Sequence, residues 1–273
     1  MNHKINEIKA SSIITKSNLP DAEFVINPYS GCMHSCLYCY ARFMKRFTGH
    51  DEPWGGFLDV KINAPDLIPA DTLKYKGRFI FLSSVTDPYV PVEKKYELTR
   101  RILEKLVPLC PCIGIQTKSD LILRDIDLLK QFKNCEAGLT ITTLDDGLRK
   151  EIEPFASPIS NRIIALEKLK KAGIKTYVFI GPILPFLTDW EKIILKTRHC
   201  TDMYMFENLN VLGSIWDSVK VWLEKSHPDL LEEYEKIYFS KNNYWETVEK
   251  EIKGFCKNQK IRCKIYFHHR RKS

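Results

Sequence analysis

The chain has 273 residues, of which 44% are apolar and 28% are charged, so it can build a sizeable core and does not belong to the disordered class. Its 42 Lys and Arg residues against 34 Asp and Glu residues give a formal charge of +8, which mildly favours an anionic partner. No apolar run approaches the roughly 20 residues that span a bilayer, and the N-terminus lacks the apolar core of a signal peptide, so we expect a cytoplasmic protein without membrane contact.

Short β-rich runs alternate with helical patterns along most of the chain. The strongest helical patterns are Glu93–Val107 and Ile159–Lys171, where apolar residues recur at helical spacing. The candidate strands are Phe24–Tyr29, Arg78–Ser83, Cys112–Thr117, Ala137–Thr142, Lys175–Ile180 and Met203–Leu209. Such alternation predicts a parallel sheet, and about 30 residues per βα unit leave room for six strands rather than eight. The predicted fold is an α/β partial (β/α)6 TIM-like barrel, with a doubly wound sheet as the alternative.

The two ends of the chain differ from this pattern. We interpret residues 1–23 as an N-terminal extension, residues 24–209 as the barrel, and residues 210–273 as a mostly helical extension packed on the barrel. A last strand, Ile261–Phe267, leads into the basic tail His268–Lys272. A short basic tail is usually a solvated end.

Three of the nine cysteines, Cys32, Cys36 and Cys39, follow the first predicted strand at x3 and x2 spacing. Three thiolates on so short a loop can occupy three corners of a [4Fe–4S] cluster and leave one iron open to an exogenous ligand. Loops at the carboxyl ends of barrel strands are also where active sites are built. The alternative is a structural zinc ion, which needs four ligands from the protein. His34 would then complete a Cys3His set.

The string from Asn27 to Arg42, NPYSGCMHSCLYCYAR, resembles the cysteine motif of the radical S-adenosylmethionine (radical SAM) superfamily. Tyr38 and Tyr40, which flank Cys39, make it similar to the branch related to spore photoproduct lyase. This resemblance implies that SAM binds the open iron and is split by one electron into methionine and a 5′-deoxyadenosyl radical, which abstracts hydrogen from a substrate. It also implies a one-electron reductant such as flavodoxin or ferredoxin as a partner.

The same resemblance assigns SAM contacts to the ends of later strands. Thr86 and Asp87 offer acceptors for the ammonium group of SAM, although Thr86 also suits a helix-capping turn. Lys118 would pair with the SAM carboxylate, whereas a lone lysine at a strand end is more often solvated. Thr140 and Thr142 would contact the ribose and methionine, although threonine simply favours strands.

Arg162 heads the second helical pattern and has two possible partners. Its guanidinium suits the SAM carboxylate bidentately, or it forms a structural ion pair with Glu153. From the sequence the two alternatives stay open.

One position departs from the family. Spore photoproduct lyase carries a hydrogen-donating cysteine just after the second strand, and this chain has Ser84, or Ser83, in that place. A serine O–H bond is too strong to give up a hydrogen atom as a thiol does, so we expect no efficient repair of spore photoproduct. Tyr38, Tyr40 and Ser84 are the candidate catalytic residues, and the substrate is open, with nucleic acid as one possibility. The alternative function is a zinc-stabilised nucleic-acid-binding protein without catalysis.

Overall fold

The computed structural model describes residues 3–70 and 73–268, which form two β-sheets surrounded by helices. The eleven strands of this part of the chain are β1 Lys4–Ile8, β2 Ile14–Lys16, β3 Phe24–Ile26, β4 Tyr29–Gly31, β5 Phe57–Lys61, β6 Phe79–Leu82, β7 Cys112–Thr117, β8 Asn134–Thr140, β9 Lys175–Ile183, β10 Met203–Asn208 and β11 Cys263–Ile265. Its α-helices are α1 Glu93–Tyr96, α2 Leu98–Leu106, α3 Ile126–Leu129, α4 Asp146–Ile152, α5 Ile159–Lys171, α6 Trp190–Thr197, α7 Ser214–Ser226, α8 Leu231–Phe239 and α9 Tyr244–Asn258. The 3-10 helices are Tyr40–Phe47, Ala64–Leu67, Val107–Leu109, Asp120–Asp125, Arg198–Cys200 and Pro228–Leu230.

The larger sheet has eight strands in the order β11-β10-β9-β8-β7-β6-β3-β2. Every neighbouring pair is parallel except β2 and β3, which form an antiparallel edge. The six strands predicted from the sequence lie side by side in chain order, from β3 to β10. This arrangement confirms the α/β fold built on a partial TIM-like barrel, because the strands of this sheet from β3 to β11 run parallel and helices connect them. One face of these strands packs against α2, α5 and α6 through the buried side chains of Ile26, Ile80, Leu82, Ile113, Ile115, Ala137, Leu139, Val178, Ile180 and Phe206.

The smaller sheet, in the order β1-β5-β4, was not predicted. The sequence suggested one strand over Phe24–Tyr29, but β3 and β4 are separate strands in different sheets. Pro28 lies between them and has no backbone N–H to give to a ladder, so the strand is interrupted there. Since β4 pairs with β5, the chain leaves the barrel edge just before the cysteine loop.

The first predicted helix, Glu93–Val107, is also interrupted. Glu97 has a left-handed conformation, with φ of 50°, and separates α1 from α2. The buried carboxylate of Glu93 accepts the backbone N–H of Thr99 at 3.1 Å, so it satisfies one of the free donors at the start of α2. The second predicted helix coincides with α5.

Both ends of the chain take part in the larger sheet. β2 forms one edge and β11 forms the other, beside β10. Asp21, just before β3, accepts hydrogen bonds from Lys264 Nζ at 2.9 Å and from the Tyr266 hydroxyl, so side chains link the two edges of the open barrel. The division at residues 23/24 and 209/210 stays a prediction, and the basic tail beyond His268 lies outside the described residues. In the described part of the chain, no helix is long and apolar enough to cross a membrane.

Candidate active site

The cysteine loop, residues 32–39, begins where β4 ends. Gly31 has φ of 86°, and a Cβ atom there would lie 2.6 Å from the carbonyl oxygen of Phe57 in β5. Only glycine fits this close approach without strain. From Gly31 the chain turns twice, with hydrogen bonds from Ser35 N to Cys32 O and from Cys39 N to Cys36 O, and then enters the 3-10 helix Tyr40–Phe47. The loop is therefore a short and tightly turned segment.

The three cysteines of this loop lie close enough for the charges of Cys36 and Cys39 to act on Cys32. Cys32 and Cys36 are buried, Cys39 is partly exposed, and none of them is in a disulfide. Burial raises the pKa of all three thiols, and for Cys32 the charges of Cys36 and Cys39 raise it further. For Cys36 the pKa reaches about 12, although nearby Lys118 lowers it. Such thiols are protonated until metal binding displaces their protons.

Lys118 follows β7 and points into this site. Its Nζ lies 5.7 Å from the centre of the Tyr38 ring, and no carboxylate of residues 3–70 and 73–268 lies within ion-pair distance of it. Burial alone would lower the pKa of Lys118, but the charges of Cys36, Glu153 and Asp87 raise it. An unpaired ammonium group beside three cysteines suits an anionic iron–sulfur cluster or the carboxylate of a bound ligand. The residues present therefore fit a [4Fe–4S] cluster together with SAM.

His34, the residue that would complete a zinc site, is turned toward other groups. Its Nδ1 is 3.2 Å from the carbonyl oxygen of Phe155, and its Nε2 is 3.2 Å from Asp87 Oδ2. Among the described residues, no three Cys, His, Asp or Glu side chains surround a single ion-sized position. A cuboidal cluster instead takes each thiolate at a separate iron. His34 thus serves as a link between the cysteine loop and the loop after β6.

We expected Asp87 to contact the SAM ammonium group, but its carboxylate already accepts hydrogen bonds from other residues of the protein. Besides His34, its carboxylate accepts the Thr117 hydroxyl at 2.6 Å and the backbone N–H groups of Tyr89 and Lys118 at 2.8 and 2.9 Å. Burial would raise the pKa of Asp87, but these partners, His34 first, lower it to about 2. Its neighbour Thr86 donates its hydroxyl to the carbonyl oxygen of Gly31 at 2.6 Å. Both residues brace the cysteine loop, and their contact with SAM stays a prediction.

Arg162 forms the structural ion pair with Glu153, which the sequence left open as an alternative to a contact with the SAM carboxylate. Arg162 and Glu153 are both 0% exposed, and Arg162 Nη2 lies 2.6 Å from Glu153 Oε2. The other guanidinium nitrogens donate to the carbonyl oxygens of Thr140 and Ser157, each at 2.9 Å. Each nitrogen of the Arg162 guanidinium thus faces an oxygen atom of the protein. A direct contact between Arg162 and SAM stays a prediction.

Glu153 connects this ion pair to the cysteine loop. Its other carboxylate oxygen accepts the hydroxyl of Tyr38, and Thr142 Oγ1 lies 3.4 Å from the same atom. Burial would raise the pKa of Glu153, but the charges of Arg162 and Lys118 lower it. Thr142 lies two residues beyond β8, not within the strand as predicted, and also donates to the carbonyl oxygen of Gly181. Thr140 is the last residue of β8, and its hydroxyl accepts Gln116 Nε2 at 3.4 Å.

The remaining candidates, Tyr40 and Ser84, meet at the rim of the barrel. The hydroxyl of Tyr40 donates to the carbonyl oxygen of Ser84, and Ser84 Oγ lies 3.4 Å from Asn27 Nδ2. Asn27 Oδ1 accepts the backbone N–H groups of Ser84 and Val85 at 2.9 and 3.2 Å. Ser83 has φ of 68°, and its hydroxyl is buried without a partner among the described residues. Ser83 and Ser84 both follow directly after β6, and a catalytic role for Tyr40 or Ser84 stays a prediction.

Sequence reasoning gave no role to several residues that hold the site together. Asn27 stands in the motif string, but its contact with Ser84 joins positions far apart in the chain. Thr117, which donates to Asp87, carries no local signal at all. Such contacts depend on which strands become neighbours, so only the parallel pairing of β3, β6 and β7 could have pointed to Asn27 and Thr117.

Comparisons with known proteins agree with this geometry. Residues 26–197 match the family model described as the Radical SAM superfamily. A protein of Methanocaldococcus jannaschii, described as uncharacterised, is 43% identical over 264 residues, which cover 94% of this chain and 99% of that protein. A Radical SAM Nalpha-GlyT isomerase of Pseudomonas phage M6 is 26% identical over 189 residues, 68% of this chain and 37% of that one.

Among solved structures, the chain is similar to spore photoproduct lyase complexed with dinucleoside spore photoproduct. The TM-score is 0.69 at 15% identity, and the match covers 96% of this chain and 82% of that one. At this identity the likeness shows the fold. The family model, in contrast, spans more than half of the chain and includes all three cysteines of the loop. The resemblance seen in the cysteine motif is thus confirmed: the chain belongs to the radical SAM superfamily and is an enzyme of that class.

Proposed function

We propose that Cys32, Cys36 and Cys39 hold a [4Fe–4S] cluster whose open iron binds SAM. When bound, the cluster supplies one electron that splits SAM into methionine and a 5′-deoxyadenosyl radical, which abstracts hydrogen from the substrate. The observation that carries this proposal is that three free thiols of one short loop act electrostatically on one another and lie near the ammonium group of Lys118, which has no carboxylate within ion-pair distance among residues 3–70 and 73–268. The superfamily typically uses this cluster and SAM, and its members need a one-electron reductant, which we propose is a flavodoxin or ferredoxin.

The chain's own residues have three tasks in this proposal. Lys118 balances the negative charge of the ligands and is free to meet the carboxylate of SAM. His34, through Asp87, and Tyr38, through Glu153, fix the cysteine loop against two different parts of the barrel. A reducing compartment such as the cytoplasm belongs to the proposal, because the thiols must stay free for iron.

The test is anaerobic reconstitution with iron and sulfide. Wild-type protein should gain a full complement of iron and sulfide with visible absorbance, and should form 5′-deoxyadenosine slowly when reduced with dithionite in the presence of SAM. Cys36→Ala should lose both properties, because three thiolates are already the minimum set. The matched control is Cys200→Ala, which removes a buried free cysteine outside the loop and should keep them. A full cluster in Cys36→Ala, or stoichiometric zinc without iron in the wild type, would contradict the proposal.

For the substrate we propose a nucleic acid, most simply a single strand. Aromatic side chains are exposed along the 3-10 helix that follows Cys39: Phe43 is 44% and Phe47 is 66% exposed. The guanidinium of Arg46 lies 5.6 and 4.6 Å from the centres of these two rings. Exposed aromatic faces next to a cation are suited to stacked bases and their phosphates. The structure of spore photoproduct lyase that this chain resembles in fold was solved with a dinucleoside photoproduct, a ligand of the same class.

A further inference from the structure

The turn before β5, residues 51–56, packs directly on the cysteine loop. Ser35 Oγ donates to the carbonyl oxygen of Gly55 at 3.0 Å. Gly55 has φ of 90°, and a Cβ atom there would lie 2.9 Å from Ser35 Cα. The two backbones therefore approach so closely that only glycine fits at position 55. Since Ser35 lies between Cys32 and Cys36, this turn covers the middle of the loop.

The buried imidazole of His50 joins this turn to β5. Its Nε2 lies 2.8 Å from Asp59 Oδ1 in β5, and its Nδ1 lies 3.0 Å from Glu52 Oε2 in the turn. The His50 ring also stacks on the ring of Phe57, with centres 4.2 Å apart. A Cβ atom at Gly31, just before the cysteine loop, would lie 3.0 Å from the Phe57 ring. His50 thus contacts both segments that pack on the loop, the turn over its middle and β5 at its start.

Both ring nitrogens of His50 face carboxylate oxygens, so both need a proton to form hydrogen bonds. A neutral imidazole carries one N–H, and its other nitrogen would present a lone pair to a carboxylate. A hydrogen bond from Lys4, followed by those from a backbone N–H and His50, lowers the pKa of Glu52 to about 2. Glu52 is therefore ionised at neutral pH, and the arrangement requires the imidazolium form of His50. Charged side chains nearby also include Lys4, Asp51 and Lys61.

The two carboxylates hold the proton on His50 beyond the usual range of histidine. Burial would lower the pKa of His50, but its hydrogen bonds to Asp59 and Glu52 and the charges of both raise it. The paired state is therefore complete below about pH 6.5 and is lost as the pH rises through the raised pKa. Loss of the proton breaks the Glu52 contact first, because the Asp59 side chain is 8% exposed whereas that of Glu52 is 30% exposed. Glu52 also keeps Lys4 Nζ at 2.9 Å as a second partner.

We propose that protonated His50 clamps the turn onto the cysteine loop, and that the loop protects its cluster less once His50 loses its proton. The consequence for the cluster rests on the proposed function. His50 acts through Glu52 and the turn, so it is a positioning residue and not a ligand.

The test follows iron release from the anaerobically reconstituted protein to a ferrous chelator, from about pH 6 to about pH 9. The wild type should release iron about tenfold faster above the pKa of His50 than below it, because a charge-assisted hydrogen bond is lost. His50→Gln cannot be protonated and should release iron at the fast rate throughout, without a step. Glu52→Gln changes a partly exposed side chain, and should also remove the step because no carboxylate opposes the unprotonated nitrogen.

His199→Gln is the matched control, because His199 also pairs with a carboxylate, that of Glu167 at 2.9 Å, but is 57% exposed and lies outside the turn and the cysteine loop. It should keep the wild-type step. A wild type without a step, or the same step in His50→Gln and Glu52→Gln, would overturn the proposal.

A second measurement uses the cluster-free protein. In 15N-labelled protein, the ring resonances of His50 are identified by their loss in His50→Gln. They should titrate with a pKa above about 6.5 in the wild type and with a lower one in Glu52→Gln, and the amide resonances of Gly55 and Gly56 should shift with the wild-type pKa. If His50 titrates at or below the usual value, or the two amides do not respond, the clamp is refuted whatever the cluster does. If the wild type binds no iron, the proposed function fails, while this titration still decides the clamp.

Discussion

Replacing Arg162 by Met removes one partner of the most deeply buried ion pair at the site. Glu153 would keep the Tyr38 hydroxyl and Thr142 but lose the Arg162 guanidinium, which lies 2.6 Å from its carboxylate. Because both partners are 0% exposed, solvent cannot compensate. Removing one partner of such a pair costs about 3–5 kcal/mol. The remaining donors to Glu153 place the expected loss near the lower end of this range.

The loss is measured as the free energy of unfolding in urea, on iron-free protein under reducing conditions. Arg78→Met is the control, because Arg78 and Glu23 form an exposed ion pair, 58% and 46% accessible, worth at most about 1 kcal/mol. The double variant Glu153→Gln, Arg162→Met should recover much of the stability, since no uncompensated charge stays buried. If Arg162→Met costs no more than Arg78→Met and only weakens SAM binding, Arg162 is a ligand-binding residue and the reasoning from the ion pair is refuted.

Two further outcomes test the ligand and the substrate. Lys118→Met should weaken SAM binding to the reconstituted protein about 10- to 150-fold, because a charge-assisted contact is worth about 1.5–3 kcal/mol, and should leave the iron content intact. The control is Lys175→Met, which removes an exposed lysine at the start of β9. If Lys118→Met bound SAM with wild-type affinity, a contact between Lys118 and SAM would be excluded. Replacing both Phe43 and Phe47 by Ala should weaken the binding of a fluorescent single strand, measured by an anisotropy titration, by about 1–3 kcal/mol per stacked base. The control is Phe239→Ala, which removes another exposed aromatic ring and should leave binding unchanged. No salt-dependent binding by the wild type would direct the search to peptides or small molecules.

The barrel could be predicted from the sequence because its elements carry their own signals. β7 and α5 have the predicted bounds, and α5 ends where the sequence Lys171-Ala172-Gly173 indicates a helix stop. The smaller sheet could not be predicted, because β4 has three residues and shows no periodicity. Its existence depends on pairing with β5, across the whole cysteine loop.

The proposed ligands of the candidate site could be predicted from the sequence, whereas the partners of the residues around them could not. Three cysteines at fixed spacing define a metal-binding loop by themselves. Asp87 and Arg162, in contrast, have side chains suited to SAM, and the sequence cannot show that His34 and Glu153 already engage them. Burial decides between these uses, because a buried carboxylate or guanidinium needs a full set of partners inside the protein. Lys118 has no such partner within residues 3–70 and 73–268, so its charge is available to a ligand.

Residues that anchor the cysteine loop to the rest of the fold alternate with its three cysteines along the chain. The residues between and next to the cysteines each bind a different part of the fold: His34 binds the loop after β6, Ser35 binds the turn before β5, Leu37 and Tyr38 bind the end of α4, and Tyr40 binds the barrel rim. Each thiol therefore has an anchored residue within two positions, so the loop has little freedom to rearrange. Because the loop is held from these sides, binding of the proposed cluster would cost less ordering entropy than in a free loop of the same sequence.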